Sequence, residues 1–443
     1  MLIKKAIRTI NELKEHIKTH SPSFYYSSQT STVIPYDKLE QVFSADKDFT
    51  LCDLSQMPTK MTLKENGNLH MLGGVSWKEA REYLKTQGRT IMTAPTEELA
   101  LISAGAATSC TGERCFKFGN LRSQIVMLKY INHKGEEKTL LKENEIDKSL
   151  KHLKTYQEDY SHYQDYKNAP YPRFEKEIDL MVGTEGQLGV ITEIEIETTE
   201  DVNVNHLFML LPKWEDNTKL HLEVAKKVQA FRDEIILCEF IDSNAFSFLK
   251  EEDRPNNGKD ALFFEIISDS FENIYEKFIC DIEGVDENEI FELTATKFHA
   301  LRASIPRAVF EENSKMGVTK MGTDVQVSID NFEALFDIYK SFTKIGVRYN
   351  LFGHFGDAHL HFNFMPTDSD VKTCQKEFEK LYKKVVELKG SPFAEHGIGI
   401  IKQKYITDFW NDNQTNLFKE LKSVHDPHNQ FFPQGFMTLE GLL

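Results

Sequence analysis

An alternating run near the C-terminal end constrains the fold of this chain most strongly. Between residues 358 and 365, polar and apolar residues alternate, with His359, His361 and Asn363 separated by leucine and phenylalanine. A period of two places successive side chains on opposite faces of a β-strand. The run therefore predicts a strand that turns its apolar face to a core and its polar face to a cleft.

Further candidate ligands lie close to this strand in the sequence. His354 precedes it in a glycine-flanked loop that can fold back towards it, and Glu395 and His396 follow about thirty residues later, before Gly397. Imidazole and carboxylate are ligands of divalent transition metals, and a second imidazole beside such a site is a candidate acid or base. The alternative interpretation is a set of surface histidines on a half-exposed antiparallel strand.

The length and the composition predict two domains. A chain of 443 residues is too long for one typical domain, and its 40% hydrophobic content is enough for sizeable cores. The N-terminal half reads as mixed α/β, starting with a predicted helix over Ile3–His20. Near residue 200 the pattern changes to longer alternation of strands and helices, which predicts a second domain with a sheet covered by helices.

The charge of the chain excludes some partners. A formal net charge of −16 disfavours nucleic acid and an anionic membrane surface, so an anionic substrate would need a local basic pocket. No apolar run reaches the length of a transmembrane helix, and no signal peptide is recognised. Six cysteines without a CxxC pair are typical of reduced thiols in a cytoplasm.

Three loops are rich in glycine or in small hydroxyl residues. Met181–Thr192 contains three glycines before a predicted strand, Ile102–Gly119 contains a run of small residues, and Ser27–Ser31 is polar. Small residues let backbone N–H groups point at an anion. The loops contain neither a GxGxxG motif nor a P-loop, so neither nucleotide-binding fingerprint is present.

Several segments match the motifs of one known family. The chain resembles the FAD-linked oxidases and dehydrogenases of the vanillyl-alcohol-oxidase type, in the branch of D-lactate, glycolate and D-2-hydroxyglutarate dehydrogenases. The resemblance extends over nearly the whole chain and is most specific in the two histidine-containing segments. The matching segments are Cys115–Gly119 (family C-L-K-Y-G), Lys167–Tyr171 (K-N-x-x-G-Y), Gly183–Thr192 (G-S/T-E-G-T-L-G-I-I-T), His354–Asn363 (H-x-G-D-G-N-L-H-x-N), Glu395–Gly399 (E-H-G-I-G) and Asp426–Gly435 (D-P…N-P-G).

The chain also departs from these motifs. Ser27–Ser31 stands where the family has a run of glycines, and Ile102–Ala104 lacks the glycine pair of the family's T-x-G-G segment. Ala358 replaces a glycine, and His359 replaces an asparagine. Serine and threonine hydroxyls would have to donate to the cofactor where the family relies on a close backbone approach.

The resemblance implies an α+β fold in two parts. Residues 1–203 would form a PCMH-type FAD-binding domain built from two small subdomains. Residues 204–443 would form the C-terminal FAD-linked oxidase domain, with an antiparallel sheet covered by helices, which holds the substrate and the metal. The composition change near residue 200 agrees with this boundary.

The resemblance also assigns roles to individual residues. His354, His361 and Glu395 would bind Zn²⁺ or another divalent metal, and His396 would be the general base. His359 would be a fourth ligand or a substrate contact. The other expected substrate-binding residues are Arg302, Lys320 and Asn363. The expected contacts to noncovalent FAD are Ser27, Ser28, Gln29, Thr30, Ser31, Pro95, Thr111, Gly112, Gly119, Gly183, Glu185, Gly186, Gly189, Val190 and Ile191.

The implied function is oxidation of a D-2-hydroxy acid, such as lactate, glycolate or 2-hydroxyglutarate, to the 2-oxo acid. Electrons would pass from FAD to a quinone, a cytochrome or an electron-transfer flavoprotein. We expect a cytoplasmic protein, with attachment to the inner face of a membrane and a homodimer as further options. The alternatives are a metal-dependent hydrolase without flavin, a degenerate family member that binds hydroxy acids without turnover, and the ether-lipid synthase relative of the fold.

Overall fold

The computed structural model describes residues 2–43, 49–93, 95–255, 258–279 and 281–439. The strands are β1 Leu2–Ala6, β2 Ser23–Tyr26, β3 Phe49–Asp53, β4 Met61–Leu63, β5 Leu69–Leu72, β6 Arg89–Thr90, β7 Ile125–Ile131, β8 Glu137–Leu141, β9 Val190–Ile196, β10 Thr199–Glu200, β11 Val204–Leu211, β12 Ile235–Ile241, β13 Asp260–Ile267, β14 Ile290–Leu293, β15 Met321–Gly322, β16 Val325–Gln326, β17 Tyr349–His354 and β18 His359–Phe364. The α-helices are α1 Ile10–Ile17, α2 Leu39–Phe43, α3 Trp77–Lys85, α4 Ile102–Ala107, α5 Cys115–Phe118, α6 Leu121–Gln124, α7 Leu153–Tyr160, α8 Lys219–Lys227, α9 Ser243–Phe246, α10 Phe271–Ile274, α11 Ala295–Met316, α12 Phe332–Thr343, α13 Val371–Glu387 and α14 Asp412–His425.

The chain divides into two compact units. The first comprises Met1–Gly112, Asn120–Asp201 and Glu395–Leu443, and the second comprises Glu113–Gly119 and Val202–Ala394. The change from the first to the second unit at Asp201 and Val202 therefore lies beside the predicted boundary at residue 203. Neither unit is one continuous stretch of sequence. The short segment Glu113–Gly119 clusters with the second unit, and the C-terminal segment Glu395–Leu443 clusters with the first.

The first unit contains two main sheets. Strands β1, β3 and β2 form a parallel sheet in the order β1-β3-β2, and an antiparallel sheet has the order β4-β5-β9-β7-β8. The predicted helix over Ile3–His20 is wrong in its first part. Leu2–Ala6 pairs in parallel with Phe49–Asp53, and the helix starts only at Ile10, where the Thr9 side chain caps it by accepting from the Glu12 N–H. Pairing with a distant strand outweighs local helix propensity here.

The second unit is built on one large antiparallel sheet. Its order among the described strands is β14-β11-β13-β12-β17-β18-β15, with β16 also paired to β18. Helix α11 packs on one face, where Phe298 meets Phe263 with ring centroids 5.4 Å apart. Helix α12 packs on the opposite face, where Tyr339 meets Phe362 at 5.3 Å. The predicted α+β fold, with an antiparallel sheet covered by helices, is confirmed.

The C-terminal segment Glu395–Leu443 clusters with the first unit, whereas residues 204–443 were expected to form one domain. The Lys422 ammonium is buried and donates to the backbone carbonyls of Gln187 and Phe431, and Phe431 forms a parallel bridge with Ser23. These contacts bring the end of the chain back to strands of the first unit, which local sequence patterns do not encode. Among the described residues, no helix is both long and apolar enough to cross a bilayer.

Candidate active site

A tight hairpin forms the centre of the candidate site in the second unit. Strands β17 and β18 pair in antiparallel register, with His354 opposite His359. A Cβ at Gly353 would lie 2.9 Å from the His359 carbonyl oxygen, and its φ of +145° is one that L side chains rarely adopt. Only glycine therefore allows the two strands to approach this closely.

The turn of this hairpin contains one strained residue. Ala358 has a φ of +49° and adopts the left-handed conformation, which costs about 1 kcal/mol or more for a residue with a Cβ. The family has glycine at this position. Ala358 therefore adopts a backbone conformation that glycine would adopt without this energetic cost.

Three histidines converge on one face of the sheet. The ring centroids of His354 and His361 are 5.6 Å apart, those of His354 and His359 are 5.1 Å apart, and those of His359 and His361 are 4.6 Å apart. One ring nitrogen from each lies within 4.8 Å of the others. All three side chains are buried, so the alternative of surface histidines on a half-exposed strand is wrong.

Each ring is oriented by a hydrogen bond. His354 Nδ1 donates to the Glu239 carboxylate at 2.7 Å, and His361 Nδ1 donates to the Thr323 carbonyl at 3.1 Å. In both rings Nε2 is then the nitrogen that would coordinate a metal. A ring N–H donated to a carboxylate or a carbonyl is the usual support of metal-binding histidines.

His359, which is atypical for the family, is oriented differently from the other two rings. Its Nε2 pairs with Asp324 at 3.1 Å, and the side chain is fully buried. A metal contact from His359 would therefore use Nδ1. The donor set of imidazoles supported by carboxylates and a carbonyl fits a divalent transition metal such as Zn²⁺.

Arg302, predicted to bind the substrate carboxylate, is already paired with acidic residues. Its guanidinium donates to Glu113 at 2.5 Å and lies 3.7 Å from Glu239. These two carboxylates raise the pKa of Arg302 against the opposing effect of burial. Because Glu239 also holds His354, the arginine and the histidine are joined through one carboxylate.

Lys320 and Asn363 adjoin the same glycine. The position of a Cβ on Gly322 would be 2.5 Å from the Asn363 side-chain oxygen and 3.8 Å from the Lys320 Cε. Asn363 is buried, and its amide group donates to Asn350 at 3.0 Å. Lys320 is exposed, so it is the more accessible of the two to a solute.

Glu395 and His396 belong to the first unit, where they lie in a partly buried loop. This loop is held at its far end by Glu185, which accepts hydrogen bonds from the backbone N–H groups of Ile398 at 2.6 Å and of Gly399 at 2.9 Å. Burial raises the pKa of Glu185 to about 7, in spite of these bonds. The carboxyl is thus partly protonated at neutral pH.

The first unit contains a large cavity of about 980 Å³, including space open to solvent. The aromatic residues Phe24, Tyr25 and Phe432 contribute to its wall. Many of the predicted FAD contacts also line it. These are Ser27, Ser28, Gln29, Thr30, Ser31, Glu185, Gly186, Gly189, Val190 and Ile191.

Backbone geometry at the cavity explains two of its residues. Gln29 has a φ of +56°, the left-handed conformation that usually favours glycine and that the family's glycine-rich loop would adopt readily. Gly189 has no room for a side chain, because a Cβ would lie 2.6 Å from the Tyr130 ring. Gln29 in the polar loop thus adopts a conformation that glycine would adopt without strain.

The remaining predicted FAD contacts do not line this cavity. Thr111 is fully buried, and its hydroxyl has no hydrogen-bond partner within the described part of the chain. Gly119 belongs to the second unit, where it ends helix α5 with a φ of +73°. The predicted contacts outside the cavity lining are Pro95, Thr111, Gly112, Gly119 and Gly183.

Sequence reasoning missed the acidic partners of the site. Glu239 orients His354, Asp324 orients His359, and Glu113 pairs with Arg302. A single glutamate in the otherwise apolar strand Ile235–Ile241 was the one available signal, because a lone buried carboxylate needs a partner.

Comparison with protein families gives a match in the C-terminal half. Residues 217–434 match the sequence model described as "FAD linked oxidases, C-terminal domain". This range includes the histidine hairpin, Glu239, Arg302 and Lys320.

Curated relatives extend the similarity over most of the chain. A mitochondrial D-lactate dehydrogenase (cytochrome) of Kluyveromyces lactis is 23% identical and aligns with 85% of this chain and 63% of its own length. A D-2-hydroxyglutarate dehydrogenase of Xanthomonas citri is 25% identical, with 74% and 66% covered. A glycolate oxidase subunit of Bacillus subtilis is 24% identical, with 57% and 55% covered. The chain thus spans less than two thirds of the length of these relatives.

A solved structure supports the fold. Alkyldihydroxyacetonephosphate synthase superposes with a TM-score of 0.67 over 96% of this chain and 76% of the synthase chain, at 14% sequence identity. At this identity the likeness concerns the fold alone.

Proposed function

We propose that this chain oxidises a D-2-hydroxy acid to the 2-oxo acid with FAD, since residues 217–434 match the family model of the C-terminal domain of FAD-linked oxidases. The observation that carries the proposal is the set of three buried, oriented histidines within the matched residues. The names of the relatives, which are D-lactate and D-2-hydroxyglutarate dehydrogenases and a glycolate oxidase subunit, favour this substrate class.

The cavity of the first unit is the proposed FAD site. Its serine and threonine hydroxyls offer donors for a pyrophosphate. A Glu185 carboxyl with a pKa of about 7 adds less negative charge than an ordinary glutamate would. The described lining residues include neither cysteine nor histidine, which favours noncovalent binding. Bound flavin would supply a two-electron acceptor for hydride.

We assign the metal to His354 and His361 through Nε2, with Glu395 as the third ligand on the strength of the motif it shares with the family. His359 would add a ligand through Nδ1 or would contact the substrate. A divalent metal at such a site lowers the pKa of a substrate hydroxyl. Glu239 and the Thr323 carbonyl would fix the tautomer in which Nδ1 carries the proton, and would hold the two Nε2 atoms in place.

The remaining residues would bind the substrate and move its proton. His396 would take the proton of the C2 hydroxyl on a ring nitrogen, and C2 would lose its hydrogen as a hydride. The substrate would thus lose one proton and one hydride, and the hydride carries both electrons of the oxidation. Lys320 and Asn363 would hold the carboxylate. Arg302 would join them, and the substrate carboxylate would then compete with Glu113 for the guanidinium.

The electrons must then leave the protein. We propose a quinone, a cytochrome or an electron-transfer flavoprotein as the acceptor; one relative is named as a cytochrome-type enzyme. The same proposal divides the chain into an FAD-binding domain and an oxidase domain at residues 203/204. It also includes a homodimer and a cytoplasmic or membrane-peripheral location.

Oxidation of a panel of acids by the FAD-saturated chain tests this function, with a redox dye as the electron acceptor. We expect one or more D-2-hydroxy acids to reduce the dye, their L-enantiomers to be inert, and a chelator to abolish the reaction. His396→Ala should retain FAD and lose dye reduction. A chain that cannot bind FAD would contradict the proposal. Tight binding of a D-acid without dye reduction would favour the degenerate family member.

A further inference from the structure

A second group of potential ligands lies elsewhere on the sheet of the second unit. His206 on β11 and Glu265 on β13 are directly opposite each other in the antiparallel register, so their side chains project from the same face. His299 on α11 lies over this pair, with its ring centroid 5.4 Å from that of His206. None of these residues belongs to the histidine hairpin or to the predicted substrate contacts.

The distances within this group are too long for hydrogen bonds. His206 Nε2 is 3.7 Å from Glu265 Oε1, and His299 Nε2 is 3.8 Å from the same oxygen. Two ligand atoms of a tetrahedral zinc site are about 3.4 Å apart when each bond is about 2.1 Å long. A small contraction of the three side chains would therefore place all three atoms on one ion.

Two of the three ligand atoms lack any hydrogen-bond partner among the described residues. The side chains of His206 and Glu265 are 7% and 1% exposed, and both His206 Nε2 and Glu265 Oε1 are buried without a partner. A buried acceptor that is left unsatisfied is energetically unfavourable. Since His299 Nε2 on α11 is 3.8 Å from Glu265 Oε1, an ion held by the three side chains would satisfy both atoms together.

The surroundings favour coordination. Arg114 donates to Glu265 Oε2 at 3.2 Å, which fixes the carboxylate with Oε1 turned towards the two histidines.

We propose that His206, Glu265 and His299 form a binding site for a divalent transition metal, with Zn²⁺ as the expected ion. Two imidazoles and one carboxylate suit such an ion and leave a coordination position open to water. His299 is 52% exposed, so the ion can enter from solvent. A bound ion would cross-link strands β11 and β13 to helix α11.

Zinc binding to the FAD-saturated full chain tests the site, because replacement of the half-exposed His299 leaves the buried core untouched. We expect His299→Ala to remove one equivalent of bound Zn²⁺, or to weaken it at least tenfold, and to abolish the zinc-dependent rise in Tm that goes with it. His162→Ala, which replaces an exposed histidine outside both groups, is the matched control and should change neither quantity.

The same titration in a His354→Ala background separates this site from the proposed active site. Loss of an equivalent on His299→Ala in both backgrounds supports the inference. If His299→Ala removes an equivalent of bound zinc and His354→Ala removes none, the inference is supported and the metal assignment in the proposed function is contradicted. Unchanged zinc stoichiometry and affinity on His299→Ala in both backgrounds would overturn the inference.

Discussion

Glu239 is the single residue on which the orientation of His354 depends most directly. Its carboxylate accepts the His354 Nδ1–H at 2.7 Å and lies 3.7 Å from Arg302. Replacement of a residue that supports a metal ligand typically weakens metal binding about 10–100-fold. We expect Glu239→Gln to weaken Zn²⁺ binding at the histidine cluster by about tenfold or more, as measured by competition with a chromogenic chelator.

The control for this substitution is Glu292→Gln, which removes the same charge from an exposed position on the edge strand β14. It should leave zinc affinity unchanged. Equal affinities of wild type and Glu239→Gln would show that the ring needs no carboxylate support, and would weaken the assignment of His354 as a ligand.

Glu185 predicts a pH dependence of stability. Its pKa rises from 4.5 to about 7 on folding, so the folded state retains a proton that the unfolded state loses between these values. The stabilisation is fully present below pH 4.5 and is lost as the pH rises through about 7, by up to about 3 kcal/mol. Glu185→Gln should flatten this part of the curve of unfolding free energy against pH, measured by urea denaturation. An unchanged slope would contradict the assigned pKa.

At the scale of elements, the β17–β18 hairpin positions the histidines through its close strand approach. A methyl group at Gly353 would meet the His359 carbonyl at 2.9 Å and the His361 ring at 3.1 Å. We expect Gly353→Ala to destabilise the protein by about 2 kcal/mol and to weaken zinc binding at the cluster, measured by denaturation and by metal titration.

Gly346→Ala is the matched control for this change. Gly346 also has a positive φ, +76°, but nothing lies within 4 Å of its Cβ position. It should lower stability through backbone strain alone and leave zinc affinity intact. Equal effects of the two substitutions on zinc binding would exclude the close contact as the cause.

The same elements show what the sequence could and could not predict. The period of two around residue 360 predicted β18, because one face of this strand holds the polar side chains of the site and the other face packs in the core. Leu2–Ala6 was predicted as helix. It is a strand because it pairs in parallel with Phe49–Asp53, and a contact between such distant segments leaves no signal in the local sequence. The acidic partner Glu239 was missed for the same reason: it lies 115 residues from His354 in the sequence.

At the scale of the whole molecule, the C-terminal segment is the feature that local patterns could not place. Lys422 is a buried cation whose partners are the Gln187 and Phe431 carbonyls and the Asp426 carboxylate. When only short stretches of sequence are considered, such a segment is assigned to the domain that precedes it. The choice of unit is made by contacts of this kind, which form only after the chain has folded back.

The most direct test of the central claim is an anaerobic absorbance measurement on the FAD-loaded protein. Addition of a D-2-hydroxy acid that is a substrate should bleach the visible absorbance of oxidised flavin in a single turnover. The L-enantiomer, or the D-acid after removal of metal by a chelator, should leave the spectrum unchanged. Flavin that stays oxidised with every D-2-hydroxy acid tested, in protein that carries both FAD and metal, would contradict the account.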